Sequence, residues 1–260
     1  MEKKSIESGD YIGRYQAYEI AVRIGDHNIK SHSDDQQGLP ARFINVEKIH
    51  VHDRWTGNVH GGFDVALLEM TEDVDLTKYT PVCLAKVTST TKFDGKTAKA
   101  VGWGYYEQFP FKDTPHTPFE VDLKVGTKQS CQSKYQVSMC ADVNECQWQV
   151  VNGKPECATL KGICMVRGIF KHSKRILDSS DFFLQGDFGG PFTYKQRNQH
   201  ILIGVSSWAV GKDRPTQPYM YSQAKIKCGT RSEFCRVSDV RRWIDSTMDN
   251  PIFCRNSEAD

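Results

Sequence analysis

The segment Gly186-Asp187-Phe188-Gly189-Gly190-Pro191, preceded by Gln185, holds three glycines within five residues. Glycine adopts backbone conformations that side chains forbid, and proline fixes its own φ angle. The segment therefore predicts a tight turn that leads into an extended strand. Such a turn is common by itself, but three further segments extend the pattern: Ile203-Gly204-Val205-Ser206-Ser207-Trp208, Val101-Gly102-Trp103-Gly104 and Gly62-Phe63-Asp64-Val65-Ala66-Leu67-Leu68.

In this order, the four segments resemble the landmarks of the chymotrypsin-like (trypsin-like, S1) serine peptidase family. The resemblance covers roughly residues 20–250. It implies an all-β fold of two antiparallel six-stranded β-barrels followed by a C-terminal α-helix. The family writes its nucleophile loop Gly-Asp-Ser-Gly-Gly-Pro, and in this chain Phe188 stands at the serine position.

The first barrel is expected to be truncated. The segment Val22-Arg23-Ile24-Gly25-Asp26-His27-Asn28 resembles a family segment that follows an Ala-Ala-His-Cys motif, which contains the catalytic histidine. In this chain no histidine precedes His27, and no cysteine precedes Cys83. We therefore expect one S1-like domain over residues 1–260, with these parts: an incomplete first barrel at 15–85, a second barrel at 98–235 with an inserted disulfide-pinned surface loop at 132–181, and a helix at 238–248.

Local patterns predict the main elements. β-branched and aromatic or alternating residues favour strands over 15–24 and 43–52, and apolar runs favour strands over 63–70 and 201–210. The helix over 238–248 carries its apolar residues on one stripe, and Ser238 is its predicted N-cap.

Composition places the chain among ordinary globular proteins. Hydrophobic residues make up 38%, charged residues 25%, and the formal net charge is +2. These values favour neither nucleic acid nor an anionic membrane as a partner. Nine cysteines indicate disulfides and an oxidising compartment, although residues 1–10 do not form a signal peptide. We expect a secreted protein whose natural N-terminus is missing, and the alternative is a cytosolic protein with free thiols.

The residues that would carry acyl transfer are incomplete. The mechanism needs a hydroxyl or thiol nucleophile, a base within reach and an oxyanion hole. The benzyl ring of Phe188 has no lone pair and no transferable proton. The resemblance implies that Asp64 is the surviving triad member and that the N–H groups of Gly186 and Phe188 are the oxyanion-hole donors. The chain is therefore predicted to be catalytically inactive.

The resemblance also implies a closed specificity pocket. It places Phe182 at the pocket floor, and it places Ala209 and Tyr219 where the family has wall glycines. A tyrosine ring in place of a glycine would fill the space of a substrate side chain. Ser207 and Trp208 would line the substrate wall.

Three expectations concern the cysteines. The resemblance pairs Cys131 with Cys164, and Cys228 with Cys235 are close enough in sequence for a local bridge. Because nine is odd, at least one thiol lacks a partner within the chain. Cys83 is the candidate, unless Cys254 pairs with it.

Two acidic regions are singled out by the sequence. We expect that the protein requires no cofactor. Asp26, Asp34 and Asp35 could offer oxygen ligands to Ca²⁺, and the alternative is a solvated acidic loop. In active family members the residue at Asp187 pairs with a newly cleaved N-terminal ammonium. Without that ammonium, Asp187 is expected to be rearranged, hydrogen-bonded or exposed. The resemblance implies a structural role for His52. The alternative is a metal site at His50, His52 and His60, although their spacing lacks a third fixed ligand.

The function that follows is that of a secreted, inactive serine peptidase homologue acting as a binding or regulatory module, in an extracellular proteolytic cascade. Its expected partner is an extracellular protein such as a protease or zymogen, or a sulfated glycan. The basic cluster of Arg167, Lys171, His172, Lys174 and Arg175 is the predicted contact. The alternatives are an active serine-type endopeptidase, as family membership implies, and a non-functional truncated gene product.

Overall fold

The computed structural model of the chain describes ten stretches of residues: 15–30, 41–88, 91–103, 116–127, 131, 138–143, 148–151, 154–157, 187–210 and 231–248. Its strands are β1 (Ala21–Ile24), β2 (Arg42–Val51), β3 (Ala66–Met70), β4 (Cys83–Leu84), β5 (Thr97–Gly102), β6 (Phe119–Val125), β7 (Ser138–Val143), β8 (Trp148–Val151), β9 (Lys154–Cys157), β10 (Pro191–Gln196), β11 (Gln199–Val210) and β12 (Arg231–Arg236). The helix α1 (Val237–Thr247) follows β12 directly, and short 3₁₀ turns occupy Ala17–Glu19 and Val59–Gly61.

The first half of the described chain forms a three-stranded antiparallel sheet in the order β1-β2-β3. Alternation along β2 decides which face is covered, because Ile44 and Val46 are buried while Phe43 is exposed. A bulge after Val46 shifts the register against β3, so that Ile49 comes to lie opposite Leu68.

The second half closes on itself. Six strands pair in the order β10-β5-β6-β7-β12-β11, and β10 also pairs with β11, which completes the barrel. β4 adds to β11 in parallel, with Cys83 opposite Ile201. Alternating apolar residues of these strands fill the interior: Ala98, Ala100, Leu123, Val125, Met139, Ala141, Phe192, Ile201, Ile203 and Phe234.

The all-β fold with one closed barrel and a C-terminal helix is confirmed. Among the described residues, the first half contributes the three-stranded sheet, and no second closed barrel is seen there. Residues 138–143 form β7 of the barrel, although the inserted loop was expected to include them. Beside it, β8 and β9 form a separate hairpin.

Three predicted boundaries are wrong. The strand expected from residue 15 begins at Ala21, because a 3₁₀ turn precedes it, closed by the Gln16 N–H donating to the Glu19 carboxylate. The strand expected from residue 63 begins at Ala66, because the preceding residues form turns. Ser238 is not the N-cap, since α1 begins one residue earlier and Ser238 lies inside its first turn.

Candidate functional site

The glycine-rich segment forms the predicted turn in the residues that the structure describes, 187–190. Gly189 adopts a φ of 72°, a conformation that favours glycine. Its N–H donates to the Ser206 carbonyl at 2.9 Å, and the Ser206 N–H donates back to the Gly190 carbonyl at 2.9 Å. The turn is therefore fastened to β11 on both sides. It presents Phe188 at its tip with 39% of the side chain surface exposed.

The carboxylate of Asp187 lies against the last residue of β5. A Cβ added at Gly102 would overlap the Asp187 carboxylate, so only glycine leaves room for it there. Gly190 is similarly confined, since an added Cβ would meet the Asp187 carbonyl at 2.8 Å. Asp187 is half-buried and packs its carboxylate against the barrel end.

Asp64 is held in a tight turn and receives a hydrogen bond from the barrel. The Val65 N–H donates to the Phe63 carbonyl at 2.8 Å, which closes a three-residue turn with Asp64 at its centre. The Ser207 hydroxyl donates to Asp64 Oδ2 at 2.6 Å, across 143 residues of chain. Burial raises the pKa of Asp64, and the Ser207 hydrogen bond opposes that rise.

The position of Ser207 depends on a bulge in β11. Ser206 pairs with Phe234 and Trp208 pairs with Glu233, so Ser207 is the extra residue between them. A bulge turns a side chain away from the regular alternation and is frequent beside active sites. Sequence reasoning placed Ser207 on the substrate wall and missed its role as the donor to Asp64. No local pattern marks a bulge of this kind.

A group of packed aromatic rings with one guanidinium adjoins Asp64, and its rings are tilted against one another. The His52 ring centroid lies 4.6 Å from that of Phe63 and 4.8 Å from that of Trp243 in α1. The guanidinium carbon of Arg54 lies 4.1 Å from the Phe63 centroid. We call these four side chains the His52 column. His52 is buried, and this burial lowers its pKa. The charge of Asp53 opposes this effect and the charge of Arg54 adds to it.

The predicted disulfide between Cys131 and Cys164 is wrong. Cys131 is bonded to Cys140, at a Cα–Cα distance of 5.5 Å that a disulfide can span. Cys140 lies on β7 with a fully buried side chain, and Cys131 lies in the connection between β6 and β7, so the pairing of these neighbouring strands brings the two cysteines together. Because the partner depends on this strand pairing, cysteine spacing alone could not identify it.

Two further cysteine predictions are wrong. Cys235 is a free, buried thiol rather than the partner of Cys228. Burial, and then the charges of Asp64 and Asp239, raise the pKa of Cys235 to about 12, so the thiol is inert at neutral pH. Cys83 is disulfide-bonded, which contradicts its prediction as the unpaired cysteine, and the alternative partner Cys254 lies outside the described residues.

Several predicted site residues lie outside the described residues: Phe182, Gly186, Tyr219, Cys164, Cys228, Cys254, Asp34, Asp35 and the basic cluster at 167–175. The backbones of Trp208 and Ala209 belong to β11. Asp26 is engaged by Arg23 at 2.6 Å, and the calcium site stays a prediction. In the described stretches, no group of three or more His, Cys, Asp or Glu side chains is placed to hold a metal ion.

Comparison with known proteins identifies the family. A family model described as Trypsin matches residues 12–152, which is more than half of the chain. The chain belongs to the trypsin family. The predicted chymotrypsin-like (S1) membership is thereby confirmed. Among the helices that the structure describes, none is long and apolar enough to cross a membrane.

Three relatives of this trypsin-family chain cover different shares of its length. Chymotrypsin-like elastase family member 1 of Rattus norvegicus is 31% identical over 230 residues, which is 87% of this chain and 69% of the relative. Trypsin-3 of Salmo salar is 24% identical over 229 residues, covering 88% of this chain and 74% of the relative. Testisin of Homo sapiens is 27% identical over 183 residues, covering 68% of this chain and 48% of testisin. The alignment thus spans about half the length of testisin.

Proposed function

We propose that this member of the trypsin family is a catalytically inactive homologue that acts as a binding or regulatory module. The observation that carries the proposal is Phe188, which lies at the tip of the turn. The sequence resemblance assigns this residue to the position of the family's nucleophilic serine. A phenyl ring supplies no nucleophile, and the ring of Phe188 is partly exposed at the surface.

The surroundings of Asp64 support the same proposal. In an active triad the buried aspartate orients an imidazole that serves as the base. Among the described residues, the side chain that donates to Asp64 is the hydroxyl of Ser207, and no imidazole does so. A hydroxyl donor can hold the carboxylate in place, but it cannot shuttle a proton at neutral pH.

The test is covalent labelling with a fluorophosphonate probe, together with turnover of a panel of peptide esters, beside an active trypsin as the positive control. We expect no labelling and no turnover. A Phe188→Ser variant is the matched control, and it is expected to stay inactive because a serine without a base is a weak nucleophile. Labelling of the unmodified protein within residues 186–190 would refute the proposal.

An active serine endopeptidase is the competing function, and the names of the elastase and trypsin relatives favour it. The labelling experiment separates the two, because an active enzyme must react at its nucleophile. A non-functional gene product is the third alternative. A cooperative unfolding transition of the purified protein would argue against it, because the closed barrel and its buried core unfold as a unit only when they are formed.

The module is proposed to act outside the cell, and nine cysteines with the bond between Cys131 and Cys140 support this location. Its proposed partner is an acidic surface on a protease, a zymogen or a sulfated glycan, bound by the basic cluster at 167–175. A pull-down from extracellular fluid tests the partner, using the unmodified protein and a variant with Lys171, Lys174 and Arg175 changed to Glu. We expect the variant to lose the partner, and equal recovery by both proteins would rule out the cluster.

A further inference from the structure

The imidazole of His52 cannot take up a proton without losing a hydrogen bond. The backbone N–H of Arg54 donates to His52 Nδ1 at 3.1 Å, so the neutral ring carries its own proton on Nε2. A solvent proton added at Nδ1 would place one N–H group against another and deprive the Arg54 amide of its acceptor. Because His52 is 7% exposed, water does not readily replace that acceptor.

The same histidine supports a strained residue next to Asp64. Phe63 has a φ of 59°, a left-handed conformation that bulky side chains rarely adopt. Such a conformation persists only where the surrounding contacts hold it, and here the contacts are the His52 ring and the Arg54 guanidinium. The backbone adds one more link, because the His52 N–H donates to the Val65 carbonyl at 3.2 Å.

We propose that His52 is an acid-sensitive latch for the Asp64 turn. Protonation at Nδ1 breaks the bond from the Arg54 amide and loosens the His52 column. Phe63 is then free to leave its left-handed conformation, and Asp64 is drawn away from Ser207. The latch would give the Asp64 turn an open form in acid, without the bond from Ser207, and a closed form at neutral pH. It extends beyond the proposed function, because it operates whether or not the chain hydrolyses peptides.

The charged groups around the ring are consistent with this behaviour. On its own loop, Asp53 favours the protonated ring and Arg54 opposes it. The segment 63–65 faces the ring with the uncharged Phe63 and carries Asp64, whose carboxyl accepts from Ser207. α1 faces the ring with the uncharged Trp243.

The charges of α1 are directed to other partners. Asp239 lies 3.5 Å from Arg236, Arg241 lies 2.6 Å from Asp245, and Arg242 is exposed to solvent. Burial and the charges of Asp53 and Arg54 therefore determine how readily His52 binds a proton.

Burial lowers the pKa of His52 from its ordinary value of 6.5, which sets the direction of the pH effect. The unfolded chain binds this proton more readily than the folded chain does. The folded state therefore has its full stability above pH 6.5 and loses stability as the pH falls from there to the folded pKa. Asp64 also has a displaced pKa, raised by burial, and must be separated from His52 by experiment.

The experiment is amide hydrogen exchange of the full chain at pH 7.5 and at pH 5.0, expressed as protection factors. We expect the protection of the Arg54 and Val65 amides to fall about tenfold at the lower pH, the effect of about one lost hydrogen bond. Amides of the barrel strands are expected to stay unchanged. Unchanged protection of the Arg54 amide through the titration of the His52 ring, followed by NMR, would overturn the proposal.

Three variants test whether the loss of protection in acid arises from His52. His52→Phe keeps a stacked ring but cannot titrate, so its protection should differ less than twofold between the two pH values. His50→Gln removes a partly exposed histidine near the end of β2, two residues before His52 and paired with Glu69 at 2.9 Å, and should behave as the unmodified protein does. Asp64→Asn should retain the acid opening, and its loss in this variant would transfer the effect to Asp64 and overturn the latch. If His52→Phe does not fold, the titration of the unmodified protein decides alone.

Discussion

The β-sheets of the two halves differ in how far their apolar side chains are buried. In the barrel of the second half, Phe192 is 0% exposed and stacks on Phe234 with centroids 4.2 Å apart. In the three-stranded sheet of the first half, Phe43 is 62% exposed and Leu68 is 42% exposed. The two halves differ in closure, since the barrel is closed and the three-stranded sheet is open among the described residues.

Closure explains the contrast because it gives every strand two neighbours and every inward side chain a covered position. The barrel achieves this through the additional pairing of β10 with β11. In the described part of the first half, β1 and β3 are edge strands, and each has β2 as its one paired neighbour. The residues of the candidate site join the two halves, so the site depends on the less enclosed half as well as on the barrel.

The largest expected effect compares two phenylalanines. Phe192→Ala should lower the free energy of unfolding by about 3–5 kcal/mol, because it removes a buried ring and leaves a cavity. Phe43→Ala should change it by about 0.5 kcal/mol or less, because the ring is already largely in water. Denaturant unfolding of both variants measures the difference. Equal losses would mean that the first sheet is as tightly packed as the barrel.

The next effect concerns the hydrogen bond from Ser207 to Asp64, which joins the two halves. Ser207→Ala should cost about 1.5–3 kcal/mol at pH 7.5, the range for a hydrogen bond to a charged group. Ser206→Ala is the matched control. Its hydroxyl is buried and has no hydrogen-bond partner among the described residues, so its loss should be neutral or slightly stabilising.

The loss in Ser207→Ala should also depend on pH. Because burial raises the pKa of Asp64, the stability linked to this carboxyl is fully present below its unfolded pKa and is lost as the pH rises through its folded pKa. Removing the Ser207 donor raises the folded pKa further and extends that loss. The variant should therefore differ more from the unmodified protein at pH 7.5 than at pH 4. The opposite trend would show that Asp64 is not the group that Ser207 stabilises.

The smallest effect concerns the attachment of α1 to the segment between the halves. Arg241 is buried and donates to the Ala85 carbonyl at 3.1 Å and to Asp245 at 2.6 Å. Arg241→Met should cost about 1–2 kcal/mol, because it leaves the carbonyl without this donor. Arg242→Met, on the exposed side of the same turn, should stay within about 0.5 kcal/mol. Thermal unfolding of both variants tests this. Equal shifts in Tm would show that the buried Arg241 contributes no more to stability than the exposed Arg242.

Local chemistry explains why parts of the fold could be predicted. The turn at 187–190, the strand over 201–210 and the C-terminal helix follow from glycine, apolar runs and helical periodicity, which act over a few residues. The strand expected from residue 63 was mistaken because Phe63 has a positive φ, which an apolar run does not reveal. The N-cap at Ser238 was mistaken because β12 leads into α1 without a polar turn.

The sequence by itself indicated the family and placed a benzyl side chain at position 188 of the glycine-rich segment, because landmark segments and side-chain types are properties of single residues in order. The tertiary structure alone decided the partner of Cys131, the donor to Asp64 and the packing of His52 against Phe63 and Trp243. The distant contacts among these depend on barrel closure and on a bulge in β11, which bring together groups far apart in the chain. The free energy of such contacts comes from burial and from pairing in three dimensions. It therefore cannot be predicted from a short segment of the sequence.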